Sequence, residues 1–273
     1  MVTAQDLQNK YNQPKSGKGP RSAHPDHGKV FPVIGPNRHT LNRIVVNRVA
    51  SYAMVDAANQ RHGIITETQA AQDMTQLEEL SFSNHTAVKN DDRWRHLYHR
   101  AQRNFKFMND QGAILRQSLW SYPCHYCGFV LPEQFVEVDH RQPQAHPGVA
   151  AIKVLHALGG AYTTQPAQGT KGTQTAAIAA ASTNQAINGL RQVPVNGWNW
   201  TMAWQGDVAA LTQAKRARYT LTDAGKTFLS VCSMYWGISA AEKKCLNNLL
   251  NLVPACRACN GAAGKGSMTH AHQ

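Results

Sequence analysis

The amino-acid sequence predicts an α+β protein, mainly helical, in which a small β portion is stapled by a structural metal. Apolar residues recur at helical spacing before residue 120 and again after about residue 207. Between those regions, residues 128–140 alternate in the manner of a short hairpin. Four of the six cysteines fall in two C-x-x-C pairs, Cys124/Cys127 and Cys256/Cys259. Two such knuckles supply four thiolates to one tetrahedral zinc, whereas a thioredoxin-like redox site needs a single pair.

Each element follows from local pattern. Residues 1–39, rich in Pro, Gly, Lys, His and Asn, read as a basic, poorly ordered arm, either a solubilising leader or a grip on nucleic acid or a partner. Residues 40–120 read as a helical N-terminal region. Its first helix starts near Thr40, with Leu41, Ile44, Val45, Val49, Tyr52 and Val55 on one stripe. The second starts near Thr66, which with Gln69 fits a capping box. The third runs over about 91–108 and buries Trp94, Leu97, Tyr98, Ala101, Phe105 and Met108. Its other faces carry Arg93, Arg95, His96, His99, Arg100, Arg103 and Lys106, a solvated surface or a phosphate-contacting one.

Residues 121–273 hold the cysteine pairs. Within them the hairpin spans 128–140, and a region of about 148–240 reads as an inserted subdomain. Its Ala/Gly/Thr/Gln-rich part, roughly 157–190, suggests a small-residue helix flanked by loop. Trp198, Trp200 and Trp204 are expected as core anchors, and helix resumes from about Asp207 to Leu250.

Composition narrows the partners. The chain has 273 residues, of which 42% are hydrophobic and only 16% charged, yet 28 Lys+Arg against 16 Asp+Glu leave a net charge of +12. The excess sits in two places: +6 over residues 1–50 and +6 over residues 124–273, with residues 51–123 neutral. A lopsided sign on so few charges points to a polyphosphate partner. No apolar stretch approaches the roughly 18 residues of a membrane span, and residues 1–19 lack the apolar core of a secretory signal. The expected location is cytoplasmic, or a target cell reached without that signal, with no membrane partner.

The decisive pattern is an ordered set. The chain gives Cys124-His125-Tyr126-Cys127, then Asp139-His140-Arg141-Gln142-Pro143, then Asn251-Leu252, then Cys256-Arg257-Ala258-Cys259-Asn260, then Lys265. Singly, each piece is ordinary: Asp139 suits a turn, Asn260 a helix cap, His140 any satisfied histidine. In order, the set resembles the HNH endonuclease family in its zinc-stapled branch, whose pattern is C-x-x-C, D-H-x-x-P, N-L and C-x-x-C-N. The resemblance spans residues 124–265 but rests on about forty positions. It departs from the family in the 110 residues between His140 and Asn251, where a few tens are usual, and in the distance of Lys265 from Asn260.

The resemblance implies a ββα-metal fold unit, a hairpin and a helix around one divalent cation, interrupted here by a large insertion. It implies cleavage of DNA with little sequence specificity. Cys124, Cys127, Cys256 and Cys259 would bind structural Zn²⁺, replacing a core that so small a motif lacks. Asp139 and Asn260 would hold Mg²⁺ or another divalent cation through hard oxygens. His140 would act as general base, since an imidazole of ordinary pKa ~6.5 is largely neutral at pH 7. Asn251 would hold the loop and the histidine in place, and Arg141, Arg257 and Lys265 would contact phosphate. Glu137 shares the alternation phase of Asp139 and is a further metal-binding or merely solvated carboxylate.

Two function classes remain open at this point. One is a DNA endonuclease, in the setting of an antibacterial effector toxin with a cognate immunity protein, a defence nuclease or a mobile element. The other is a zinc-dependent nucleic-acid-binding module that does not cut.

Overall fold

The structure is a computed structural model and describes residues 1–13, 39–125, 129–141, 147–159, 161–168, 190–195, 198–204 and 217–260. In chain order the elements are α1 (Ala4–Asn12), β1 (Thr40–Val46), β2 (Val49–Val55), β3 (Arg61–Thr66), α2 (Glu67–Glu79), α3 (His85–Asn90), α4 (Asp92–Leu97), β4 (Ala101–Met108), β5 (Ile114–Pro123) and β6 (Val130–Pro132). They continue with β7 (Glu137–His140), α5 (Pro147–Leu158), β8 (Thr163–Gln168), β9 (Leu190–Val195), β10 (Trp198–Trp204), β11 (Ala217–Leu221), α6 (Asp223–Trp236), α7 (Ile238–Leu246), β12 (Leu252–Ala255) and the single turn α8 (Arg257–Asn260). The α+β class holds. The mainly helical expectation does not, because strands occupy as much of the described chain as helices.

The chain divides into two compact units that alternate along the sequence. Unit 1 takes Met1–Ser83, Gln142–Gly169 and Ala217–Asn251; unit 2 takes Asn84–Arg141, Thr170–Arg216 and Leu252–Gln273. The inserted region is therefore not a separate subdomain, since α5, α6 and α7 share one core with α1, α2 and the first three strands.

Unit 1 begins with a helix where a poorly ordered arm is expected. Thr3 caps α1 reciprocally: its Oγ1 accepts from the Asp6 N–H at 3.1 Å, and Asp6 Oδ2 accepts from the Thr3 N–H at 3.0 Å. Leu7 is fully buried, so the apolar face docks into the core. The rest of the expected arm, 14–38, lies outside the described residues, as do 169–189 and 205–216.

The helix expected from Thr40 is instead the β1–β2 hairpin, with Thr40 opposite Val55 and Val46 opposite Val49. Asn47 and Arg48 form its two-residue turn at φ 49° and 67°, the doubly positive conformation that matches strand twist. The β-branched run Ile44-Val45-Val46 favours this pleated surface. β3 completes the antiparallel sheet, in the order β1-β2-β3.

Thr66 caps α2 as expected, accepting from the Gln69 N–H at 3.1 Å, while the Gln69 side chain donates onward to Asp73. Glu67, at the start of that helix, is buried yet satisfied: Arg43 donates two bonds at 2.9 Å and Tyr52 Oη a third at 2.8 Å. Leu41, Met74, Leu77, Phe228 and Leu229 fill the core between sheet and helices. Cys232 and Cys245 belong to it as inert thiols, Cys245 being pushed up to about 12 by burial. The expected late helix is α6 and α7, separated at Gly237, whose φ of 88° ends the first helix.

Unit 2 is built on an antiparallel sheet in the order β6-β5-β4-β10-β9. The helix expected over 91–108 stops after two turns. α4 ends at Leu97, His99 takes a positive φ of 53°, and β4 begins at Ala101. Phe105 and Phe107 are both buried, a period of two rather than 3.6. The basic residues expected on the other faces of that helix are dispersed, and four have protein partners. Arg93 pairs with Asp91 at 2.7 Å, Arg95 with Asp92 at 3.1 Å and Arg100 with Glu133 at 2.7 Å, while Arg103 donates to Ser121 Oγ at 2.9 Å.

The hairpin expected over 128–140 is also corrected. β6 joins β5, with Ser121 opposite Pro132, whereas β7 lies in a different sheet. A 3₁₀ turn, Glu133–Phe135, carries the chain between them. The partner of β7 is β12, from the far side of the insertion.

Candidate active site

The pairing of β7 with β12 brings the separated motif together. The strands run antiparallel, with His140 opposite Leu252, Asp139 opposite Val253 and Glu137 opposite Ala255. α8 follows β12 directly and packs against β7. Strand, strand and helical turn thus meet, although 111 residues lie between the end of β7 and the start of β12.

Two bonds fix the end of α8. The Asn260 N–H donates to the Cys256 carbonyl at 2.9 Å, and Asn260 Nδ2 donates to Glu137 Oε2 at 2.7 Å. The carboxylate accepts only, so it sets which end of the amide faces it. Asn260 Oδ1 is then left buried, with no hydrogen-bond partner among the described residues. Buried oxygens are nearly always satisfied, and an orphaned amide oxygen beside a carboxylate is a donor suited to a hard cation. Strand alternation puts Glu137 and Asp139 on one face of β7. Asp139 is buried and His140 half-buried.

The two cysteine knuckles follow β5 and β12 and approach one another there. Cys124 and Cys256 are both buried, and the Cys256 N–H donates to Cys124 Sγ at 3.3 Å. The His125 N–H donates to the Pro254 carbonyl at 2.8 Å, tying the first knuckle to β12. One cysteine of each pair is therefore in contact with the other pair. Cys127 lies outside the described residues, and the Cys259 side chain is likewise not described. Donor chemistry and the contact across the knuckles fit a thiolate-bound zinc.

Arg141 directly follows β7 and Arg257 opens α8, and both are exposed. Lys265 lies outside the described residues. Asn251 belongs to unit 1, where it is buried; its Nδ2 donates to the Leu246 carbonyl at 2.8 Å and its N–H to the Asn248 carbonyl at 2.8 Å. It clamps the bend that leads directly into Leu252.

Three residues of unit 2 that the motif does not contain help to build the site. The His85 ring meets that of His140 edge to face, with centroids 5.9 Å apart. Burial, then the nearby His140, pushes the His85 imidazole below its ordinary value, with Asp139 opposing. Lys89 donates to the Val136 carbonyl just before β7, and burial lowers its pKa. Trp94, fully buried, donates from Nε1 to the Leu252 carbonyl at 2.8 Å. The local signal for the first two was the cap: Asn84 Oδ1 accepts from the Ala87 N–H at 2.8 Å, starting a helix at His85 that periodicity alone does not reveal.

Among known proteins, no family model, curated protein or solved structure matches the chain. Among the described residues, no helix is long and apolar enough to cross a membrane.

Proposed function

We propose that this chain is an endonuclease of HNH type that hydrolyses DNA with a divalent cation and little sequence specificity. The observation that carries the reading is Asn260: its amide nitrogen is held by Glu137, leaving a buried oxygen with no partner among the described residues, beside the strand that bears Asp139 and His140. A non-catalytic zinc knuckle has no need of such an oxygen.

In this reading Asp139 and Asn260 hold the cation and Glu137 orients Asn260. A cation of the Mg²⁺ class, when bound, supplies positive charge to the phosphate and to the leaving oxygen. His140 accepts the proton of the attacking water, and the His85 ring limits how that imidazole can turn. Arg141 and Arg257 draw in the backbone without reading bases. Cys124, Cys127, Cys256 and Cys259 keep the turn of α8 against β7 through zinc. An effector toxin with a cognate immunity protein, or a defence nuclease, is the biological setting proposed for such an activity.

The test is plasmid cleavage with Mg²⁺, with EDTA, and with His140→Ala. Cutting that EDTA and the substitution both abolish supports the reading. DNA binding without any cutting in Mg²⁺, Mn²⁺ or Zn²⁺ refutes it in favour of a binding module.

A further inference from the structure

Unit 1 contains a cluster that the nuclease reading does not use. His39 immediately precedes β1, Asp56 immediately follows β2, and His62 is the second residue of β3. The register explains why they meet: Thr40 pairs with Val55, and Val55 with Arg61, so all three residues emerge at one end of the sheet. Their candidate ligand atoms lie within 4.8 Å of one another. His62 Nε2 is 2.9 Å from Asp56 Oδ2, and the rings of His39 and His62 meet at 5.4 Å between centroids.

Asp56 is held in place from behind. Its other oxygen, Oδ1, accepts the Ala58 and Gln60 N–H groups at 2.9 and 2.8 Å, so Oδ2 is presented to the histidines by the turn itself. Ligands preoriented by bonds from the far side are characteristic of metal sites. His62 is 33% and Asp56 23% exposed, leaving the cluster open to solvent on one side.

We propose that His39, Asp56 and His62 form a second metal site, distinct from the cysteine knuckles, that takes Zn²⁺ with one coordination position left to water or a small ligand. Two imidazoles and one carboxylate are a borderline donor set that suits zinc rather than Mg²⁺ or Ca²⁺, which prefer oxygen alone. A bound ion fastens the residue before β1 to the turn between β2 and β3. The site owes nothing to the nuclease assignment and stands or falls separately from it.

The experiment is a Zn²⁺ titration of the full chain after dialysis against a mild chelator, with Co²⁺ as a spectroscopic substitute. Asp56→Asn preserves the turn-capping oxygen while removing the charge, and His62→Ala removes a ligand; circular dichroism checks that both fold. Wild type is expected to bind one exchangeable equivalent, weakened about 100-fold or more in either variant. Its Co²⁺ form should give visible bands without the near-ultraviolet thiolate absorption of a cysteine site, and these bands should persist in Cys256→Ser. An exchangeable equivalent unaffected by both variants, or none in the wild type, overturns the proposal.

Discussion

The backbone N–H of Cys256 is aimed at the sulfur of Cys124 at 3.3 Å, across 132 residues of sequence. An N–H bond to sulfur favours the thiolate over the thiol, which is the form zinc requires. Cys256→Ser is therefore expected to lower tightly held zinc from about one equivalent per chain to near zero, and to loosen β12 and α8. Elemental analysis after dialysis reads the first effect, and hydrogen exchange of residues 252–260 the second. Full zinc retention in the variant counts against the staple.

His140→Ala is expected to keep the zinc and the circular dichroism spectrum of the wild type while losing cleavage by on the order of 10²–10⁴. Near wild-type cutting removes His140 from the chemistry.

Asn260→Ala deletes both the bond to Glu137 and the oxygen that has no partner among the described residues. The cation concentration that half-saturates cleavage should rise by about 10–100-fold, the range associated with lost support around a metal. A Mg²⁺ titration of initial rates measures this. An unchanged half-saturating concentration means that the Asn260 oxygen meets no metal.

Trp94 joins α4 to β12 through its indole nitrogen. Trp94→Phe keeps most of the buried ring but strands the Leu252 carbonyl, at a cost of about 1–3 kcal/mol. Trp94→Ala adds a cavity and should cost about 3–5 kcal/mol. Denaturant unfolding followed by a signal local to unit 2 orders the two variants; equal stabilities contradict the anchoring role.

Asp91 provides a test by pH. Its side chain caps α4, accepting from the Arg93 and Trp94 N–H groups at 2.9 and 3.3 Å, and the Arg93 guanidinium holds its pKa below the ordinary value. A folded-state pKa below the unfolded value of roughly 4 stabilises the folded state at neutral pH and ceases to do so as pH falls through the lowered value. Asp91→Ala should cost about 1 kcal/mol at pH 7 and almost nothing in strong acid. A stability difference that persists undiminished at pH 2 excludes the carboxylate as its source.

The candidate site residues were more legible in the sequence than the fold around them. Spacing singled out Cys124, Asp139, His140, Cys256 and Asn260, residues that the structure places on or beside the β7–β12 pair, because such motifs are written in short intervals along the chain. Strand pairing is not. Residues 128–140 read as a hairpin since two short apolar runs flank Pro132-Glu133-Gln134, but the partner of β7 begins at residue 252. The stripe from Leu41 to Val55 satisfies helical spacing, but Val45 and Val49 are exposed and residues 51–55 are buried throughout, and in the sequence only the β-branched run and the turn at Asn47-Arg48 point to strands. In 101–108 the apparent helical period came from Ala101, Phe105 and Met108, while the burial of Phe107 beside Phe105 reveals the strand. His85 and Lys89 carry no motif of their own, and only the packing of α3 against β7 brings His85 to His140 and Lys89 to the Val136 carbonyl.

The late arrival of β12 has a consequence during synthesis. The strand bearing His140 leaves the ribosome more than a hundred residues ahead of Leu252, its register partner. At about 5–20 residues per second, that interval lasts on the order of 10 s, during which the histidine and Asp139 exist without Asn260, the second cysteine knuckle or the pairing that aligns them. Nascent chains and fragments that end before residue 252 therefore lack the β7–β12 pairing. For the nuclease proposed above, a complete site would form only once translation has passed the last of its parts.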